Sequence, residues 1–182
     1  LHDVYIEKTG LKFLNRLLTI DIFSLIFISL CFLFIINGSN LIDGFNGLLA
    51  IHSLIIITVL FIINILSGDT AHSYFLFYTI LAILIFLIFN FPRANVFLGD
   101  SGAYLLGALV ALAIIKTSFS NPQISPFFFC ILLAYLFFEV FFSFFRKILI
   151  ERQSPLLPDN KHLHMKLYKF LKKNNKFQLN LN

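Results

Sequence analysis

Five long apolar runs, roughly Leu17–Ile36, Leu48–Leu66, Tyr74–Phe89, Ala103–Ile115 and Ile124–Phe145, alternate with short polar stretches along this chain. A helix needs about 20 largely apolar residues to cross roughly 30 Å of hydrocarbon. The runs therefore predict an all-α, polytopic membrane helix bundle of about five transmembrane helices, a single membrane domain over residues 1–182. In the fourth run, Gly102, Ala103, Gly107, Ala108, Ala111 and Ala113 would let a neighbouring helix approach closely.

Composition strengthens the membrane reading. Of 182 residues 59% are hydrophobic and 13% charged, with 25 Phe and no Trp, against about 25% charged in an ordinary soluble domain. A small soluble fold has no core large enough to hide that much apolar surface. The chain begins with Leu1 and its first stretch has no signal-peptide cleavage pattern, so a fragment of a longer protein is expected. Cys31 and Cys130 both fall in apolar runs without Cys-x-x-Cys spacing, which predicts packing rather than chemistry.

Spans alternate in direction, so the connections Asn37–Gly47 and Asn90–Gly102 share a membrane side with the tail from Arg146. That side gathers Asn37, Asn40, Asp43, Asn46, Asp100, His162 and His164. The opposite side receives only short, bland connections and the segment 1–16. From Arg146 onward nine Lys/Arg face Glu151 and Asp159, a net of 9 − 2 = +7, while the rest of the chain sums to −2. The positive-inside tendency then makes the motif side cytoplasmic and segment 1–16 extracytoplasmic. The basic tail also reads as a solvated segment lying along lipid.

Three polar segments carry candidate chemistry. In Asn37-Gly-Ser-Asn40-Leu-Ile-Asp43-Gly-Phe-Asn46-Gly-Leu48, the polar residues recur every third position, which on a helix end places them along one face. Asn, Asp and Gly also favour caps and turns. In Asn90-Phe-Pro-Arg93-Ala-Asn95-Val-Phe97-Leu-Gly-Asp100-Ser-Gly102, an acid sits at the mouth of the fourth span. Unpaired N–H groups at a helix start suit phosphate there, and Asp100 equally suits an N-cap. Mg²⁺ takes one or two carboxylates plus substrate phosphates, and Asp43 and Asp100 are the acids available in membrane-edge loops. Phe97 is placed to stack a nucleobase. In Ser154-Pro-Leu-Leu-Pro-Asp159-Asn-Lys161-His162-Leu-His164, two histidines among lysines form a cationic spot for pyrophosphate. Glu139 and His52 are ionisable groups inside spans, a placement that signals function, yet the sequence names no partner for either. Enzyme, transporter and lipid-bound scaffold all remain open on these features alone.

Taken in order, the three segments resemble one family, the polyprenyl-phosphate N-acetylhexosamine-1-phosphate transferases of glycosyltransferase family 4. It includes undecaprenyl-phosphate GlcNAc-1-phosphate transferases and phospho-N-acetylmuramoyl-pentapeptide transferase. Asn37-x-x-Asn40-x-x-Asp43-Gly-x-Asn46-Gly-Leu48 is similar to the family's Asn/Asp/Gly loop, Phe97-Leu-Gly-Asp100-Ser-Gly to its Mg²⁺ motif, and Ser-Pro-x-x-Pro-Asp-x-x-His162-x-His164 to its histidine loop. The resemblance covers about Leu17 to Lys169 and implies the second half of a ten- or eleven-span enzyme.

It implies transfer of a sugar-1-phosphate, GlcNAc-1-phosphate first among them, from a UDP-sugar to undecaprenyl or another polyprenyl phosphate, with release of UMP. The pathway implied is cell-envelope polysaccharide synthesis, such as lipopolysaccharide O-antigen, at a bacterial inner membrane with cytoplasmic catalytic loops. By position, Asp100 would bind Mg²⁺, with Mn²⁺ as a substitute. Phe97, Asn90, Gly44, Phe45 and Asn46 would hold the nucleoside, and Asn37, Asn40, Asp43, His162 and His164 would line the catalytic centre. The expected partners are the UDP-sugar, the lipid phosphate and the membrane, not nucleic acid, with a homodimer left open. No match to the family's Asp-Asp motif occurs in the chain, so 1–182 alone is expected to be inactive.

Overall fold

The computed structural model describes residues 9–152, 154 and 162–173. Every regular element among them is helical: α1 (Lys12–Leu18), α2 (Asp21–Ile42), α3 (Leu48–Ser67), α4 (Thr70–Asn90), α5 (Gly99–Ser120), α6 (Pro126–Leu132), α7 (Ala134–Phe145) and α8 (Leu163–Lys173). A π-helical turn over Arg146–Ile150 continues α7. Segment 1–8, residues 155–161 ahead of the histidines and the tail from 174 lie outside the described residues.

Helices α2 to α5 are each long and apolar enough to cross a membrane, and α6 with α7 makes a fifth candidate bent by 70°. The sequence boundaries shift in instructive ways. The first run divides: α1 stops at Leu18 and α2 starts afresh at Asp21, whose carboxylate sits in the first turn where the helix dipole favours it. Helix α2 then continues to Ile42, through residues expected to be a loop. The fifth run is not one straight helix. Backbone at Leu133 leaves the helical region with ψ 6°, and no Pro or Gly marks the place, so an unbroken apolar run conceals a break.

Large apolar side chains point outward from the spans, with Leu66 81%, Ile88 73% and Ile22 72% exposed. Helices apolar on all sides fit lipid rather than water, and the chain is an integral membrane protein. The inner packing is correspondingly narrow: α2 lies against α5 and α7, and α3 against α4 and α5. Small residues make these contacts close. A Cβ on Gly107 would stand 2.7 Å from Ser39 Oγ and 3.0 Å from the Ile36 Cα on α2. Because backbone cannot yield as a side-chain tip does, Gly107→Val should cost about 1–3 kcal/mol of overpacking. Thermal unfolding in detergent should show the loss, while Gly68→Ala, in open space at a left-handed turn, should cost less.

At the end of the bundle away from the motifs, a buried polar cluster joins α3, α4 and α5. Asn64 Nδ2 donates to Thr117 Oγ1 at 2.7 Å, and His72 Nε2 lies 3.3 Å from the same oxygen. Asp69 caps α4 by accepting from the His72 backbone N–H at 3.1 Å, and Ser120 Oγ donates to its other oxygen at 3.0 Å. That backbone bond holds the Asp69 carboxyl below the usual carboxylate range. The cluster fixes the relative register of three helices whose apolar surfaces carry little directional information.

Candidate active site

Asn37 and Asn40 lie in the last turns of α2. Asn37 folds back to donate to Leu33 O at 2.7 Å, while Asn40 Nδ2 donates across to Tyr104 Oη on α5 at 3.3 Å. Asp43 is the residue at which α2 stops, half-buried. The one-face series therefore holds as helix for Asn37 and Asn40 and ends at Asp43. Asn46 lies beyond, in a turn, and donates to Pro92 O at 3.3 Å. Gly47 takes φ 77°, a left-handed value costly for a side chain, and so starts α3 in a new direction.

Asn90, the last residue of α4, ties the two loops together. Its Oδ1 accepts from the Gly47 backbone N–H at 2.6 Å, and its Nδ2 donates to Val96 O at 2.8 Å. Both ends of this buried amide are thus committed to backbone. Asn90→Ala would leave the Gly47 N–H buried without an acceptor, at a cost of about 1–3 kcal/mol. Asn90→Asp keeps that acceptor and should recover part of the thermal stability lost in the Ala variant, as read in detergent.

Phe97 is 74% exposed, its ring free for a ligand. Asp100 is exposed in the first turn of α5; the N-cap is Leu98 and no side-chain cap bond forms there. The cap role that sequence allowed for Asp100 is therefore not taken up. Burial pushes the Asp43 carboxyl above its ordinary pKa, and the negative charge of Asp100 pushes it the same way. Two carboxylates held within each other's field favour a cation. Among the described residues no group of three or more His, Cys, Asp or Glu forms a ready-made metal cage. This donor set suits Mg²⁺, which commonly completes its shell with substrate phosphate and water.

Glu139 on α7, fully buried, gathers the histidine segment. Its Oε1 lies 3.1 Å from His164 Nδ1 and accepts from Tyr135 Oη at 3.1 Å. Its Oε2 accepts from the Leu163 N–H at 3.2 Å and stands 3.5 Å from His162 Nδ1. An acid of one helix thereby meets the free N–H groups that open another, which is where an anion is most stabilising. The two imidazoles stack with centroids 5.6 Å apart and planes 4° apart. Bonding to Glu139 requires a proton on His164 Nδ1, which leaves Nε2 as the other ring nitrogen. That Nε2 is buried, has no hydrogen-bond partner among the described residues, and abuts Gly44.

Phe45 closes the arrangement, its ring 5.3 Å from that of His164 and 5.5 Å from that of Tyr168 on α8. His52 on α3 packs edge-on against Tyr135 at 5.7 Å. The two ionisable groups inside spans that lacked partners in the sequence thus lead, through Tyr135, to the histidines. They do not define a separate path through the membrane. Sequence reasoning flagged Glu139 as an intramembrane acid but missed its role, and it missed Tyr135 altogether; the i, i+4 spacing of the two on one helix was the available signal.

A side chain on Gly44 would enter the space of a ring that Glu139 holds from the other side. Gly44→Ala should displace His164. The Gly44→Ala protein should insert in the membrane as before but unfold in detergent at a lower temperature, because the added methyl and the imidazole compete for one space.

The sequence profile of glycosyl transferase family 4 matches residues 1–118, which include both the Asn37–Gly47 and Asn90–Gly102 segments. An undecaprenyl-phosphate alpha-N-acetylglucosaminyl 1-phosphate transferase of Thermotoga maritima is 31% identical over 139 residues, 76% of this chain and 41% of that one. The enzyme of the same name in Escherichia coli is 30% identical over 134 residues, 71% and 36% of the respective chains. A phospho-N-acetylmuramoyl-pentapeptide-transferase of Leuconostoc citreum is 40% identical over 76 residues, 42% of this chain and 24% of the relative. The chain thus spans at most 41% of the length of these curated relatives. No solved structure matches it.

Proposed function

This chain belongs to glycosyl transferase family 4, and from that premise we propose that the protein it belongs to transfers a hexosamine-1-phosphate from a UDP-sugar to undecaprenyl phosphate, releasing UMP. GlcNAc-1-phosphate is the donor group favoured by the names of the relatives. The observation that carries the reading is convergence. Loops 43–47 and 90–100, the histidine segment and Glu139 meet at one end of the bundle, although they come from the α2–α3 and α4–α5 connections, α8 and α7.

In this proposal Asp100, with Asp43 behind it, holds Mg²⁺ against the donor pyrophosphate; the ion would supply charge neutralisation to the leaving UMP. Phe97 offers its exposed face to uracil. Asn90 acts behind the nucleoside loop, setting Gly47 and Val96, rather than through a free amide. His164 Nε2, poised by Glu139, meets phosphate or sugar, and Asn40 helps fix the α2–α5 wall beside it. Phosphoryl transfer depends mainly on positioning and electrostatic stabilisation, and these groups supply both. The site faces the cytoplasm of a bacterial inner membrane, and the product enters cell-envelope polysaccharide synthesis.

The test is incorporation of label from UDP-[sugar-labelled]GlcNAc into butanol-extractable lipid by membranes carrying the whole gene product. Mg²⁺-dependent labelled lipid, with UMP released in equal amount, is expected. Labelled lipid in undiminished yield under EDTA would rule out the metal role, and no labelled lipid from any UDP-hexosamine would rule out the donor class.

A further inference from the structure

Helix α8 has three faces, and the site uses one. His164 turns inward to Glu139, and Tyr168, although 37% exposed, lays its ring against Phe45. Leu163, Leu167 and Phe170 form a second, outward stripe, respectively 37%, 54% and 61% exposed. Spacings of four and three place those residues together on the helix surface. Lys166, Lys169 and Lys172 form a third, also exposed. A helix in water would not hold an apolar stripe open beside a basic one.

Position supplies the occupant. The first turn of α8 is bonded to Glu139 on a membrane-inserted helix, and Lys166 Nζ sits 4.7 Å over the ring of Phe142, one turn further along it. Phe45, just past the end of α2, packs on the second turn. The helix is therefore held at the level where spans leave the bilayer. The π-helical turn that continues α7 is itself lipid-like, with Leu149 71% and Ile150 77% exposed. An amphipathic helix at that level, apolar on one side and lysine-rich on the next, has the chemistry of a segment lying in an anionic lipid interface. We propose that α8 is an interfacial helix that buries Leu163, Leu167 and Phe170 among acyl chains and sets Lys169 and Lys172 against anionic headgroups. This assignment does not depend on the transfer reaction.

Residues 1–182 contain no Trp, so Phe170→Trp adds an indole on the outward stripe, whose emission is read as the difference from the same gene product without the substitution. The whole gene product carrying it would be reconstituted in phosphatidylcholine vesicles with or without 30% phosphatidylglycerol. In the anionic vesicles the indole should emit at shorter wavelength than in water and be quenched by lipids brominated high on the chain. Adding Lys169→Gln and Lys172→Gln should remove the difference between the two vesicle types, as should about 1 M salt, which shortens the screening length to roughly 3 Å. A water-like emission unaffected by brominated lipid in both vesicles would overturn the proposal. So would equal burial in both vesicle types without the lysine changes, since the charge would then play no part. Emission that shifts only with protein density would assign the stripe to a second copy of the chain instead.

Discussion

Asp100→Asn in the whole gene product is expected to reduce sugar-phosphate transfer by on the order of 10³-fold, with normal membrane insertion. The figure follows from the several kcal/mol of charge stabilisation that a metal ion contributes in phosphoryl transfer, at about 1.4 kcal/mol per tenfold. The substitution is a clean one. Asp100 is exposed, makes no cap bond, and leaves the start of α5 to Leu98 and Gly99, so an amide of the same shape disturbs no packing. A second readout separates lost metal binding from lost folding. Asp43 is raised by burial and by the charge of Asp100, so the unliganded pair repels. Without divalent cation, Asp100→Asn should unfold at a slightly higher temperature than the native protein, and added Mg²⁺ should stabilise the variant less. A variant as active as the native protein would remove Asp100 from the proposed metal role; one that is inactive but also fails to insert would show a folding defect, which the thermal measurement detects directly.

The arrangement that makes this prediction was only partly written in the sequence. Length and apolarity of the runs were enough for four of the spans, because hydrocarbon thickness constrains helix length directly. Span parity was enough to bring Asp43, Asp100 and the histidines to one end. The break at Leu133 was not legible, since Leu-rich sequence on either side is as compatible with a straight helix as with a bent one. Of the partners of Glu139, only Tyr135 had a signal in the i, i+4 spacing; His164 and the Leu163 N–H come from α8, which local pattern does not bring to α7. Asn90 shows the complementary limit. Its type and place suggested a ligand contact, but only the geometry shows both ends of its amide spent on Gly47 and Val96. Local pattern identifies which residues gather; it does not tell which of them touch ligand and which hold the others in place.

Glu139→Gln is the second large effect expected, and it tests that distinction. Glu139 makes no contact with solvent and stands behind the histidines, so it is a positioning residue. Its carboxylate receives the Tyr135 hydroxyl, His164 Nδ1 and the backbone N–H groups of Leu163 and His164. An amide in its place presents N–H where one of these donors now points, which sets two donors against each other inside the protein. Removing one partner from a buried charged network costs about 3–5 kcal/mol, but α8 need not remain docked to incur all of it. The cheaper response is release of the first turn of α8, which carries His164 Nε2 away from Gly44. Transfer should then fall by on the order of 10²-fold or more, in line with misplacement of a reacting group, while the bundle of α2 to α5 stays folded. Glu139→Asp keeps the charge on a shorter arm and should recover about tenfold over the Gln variant. A purely structural acid would give a different pattern, with Asp and Gln equally impaired in thermal stability and activity lost only in proportion to unfolded protein. If Gln and Asp variants transfer alike, Glu139 does not position the histidines. If Asp is rescued and Gln is not, the buried charge on α7 is what holds the His164 imidazole in place.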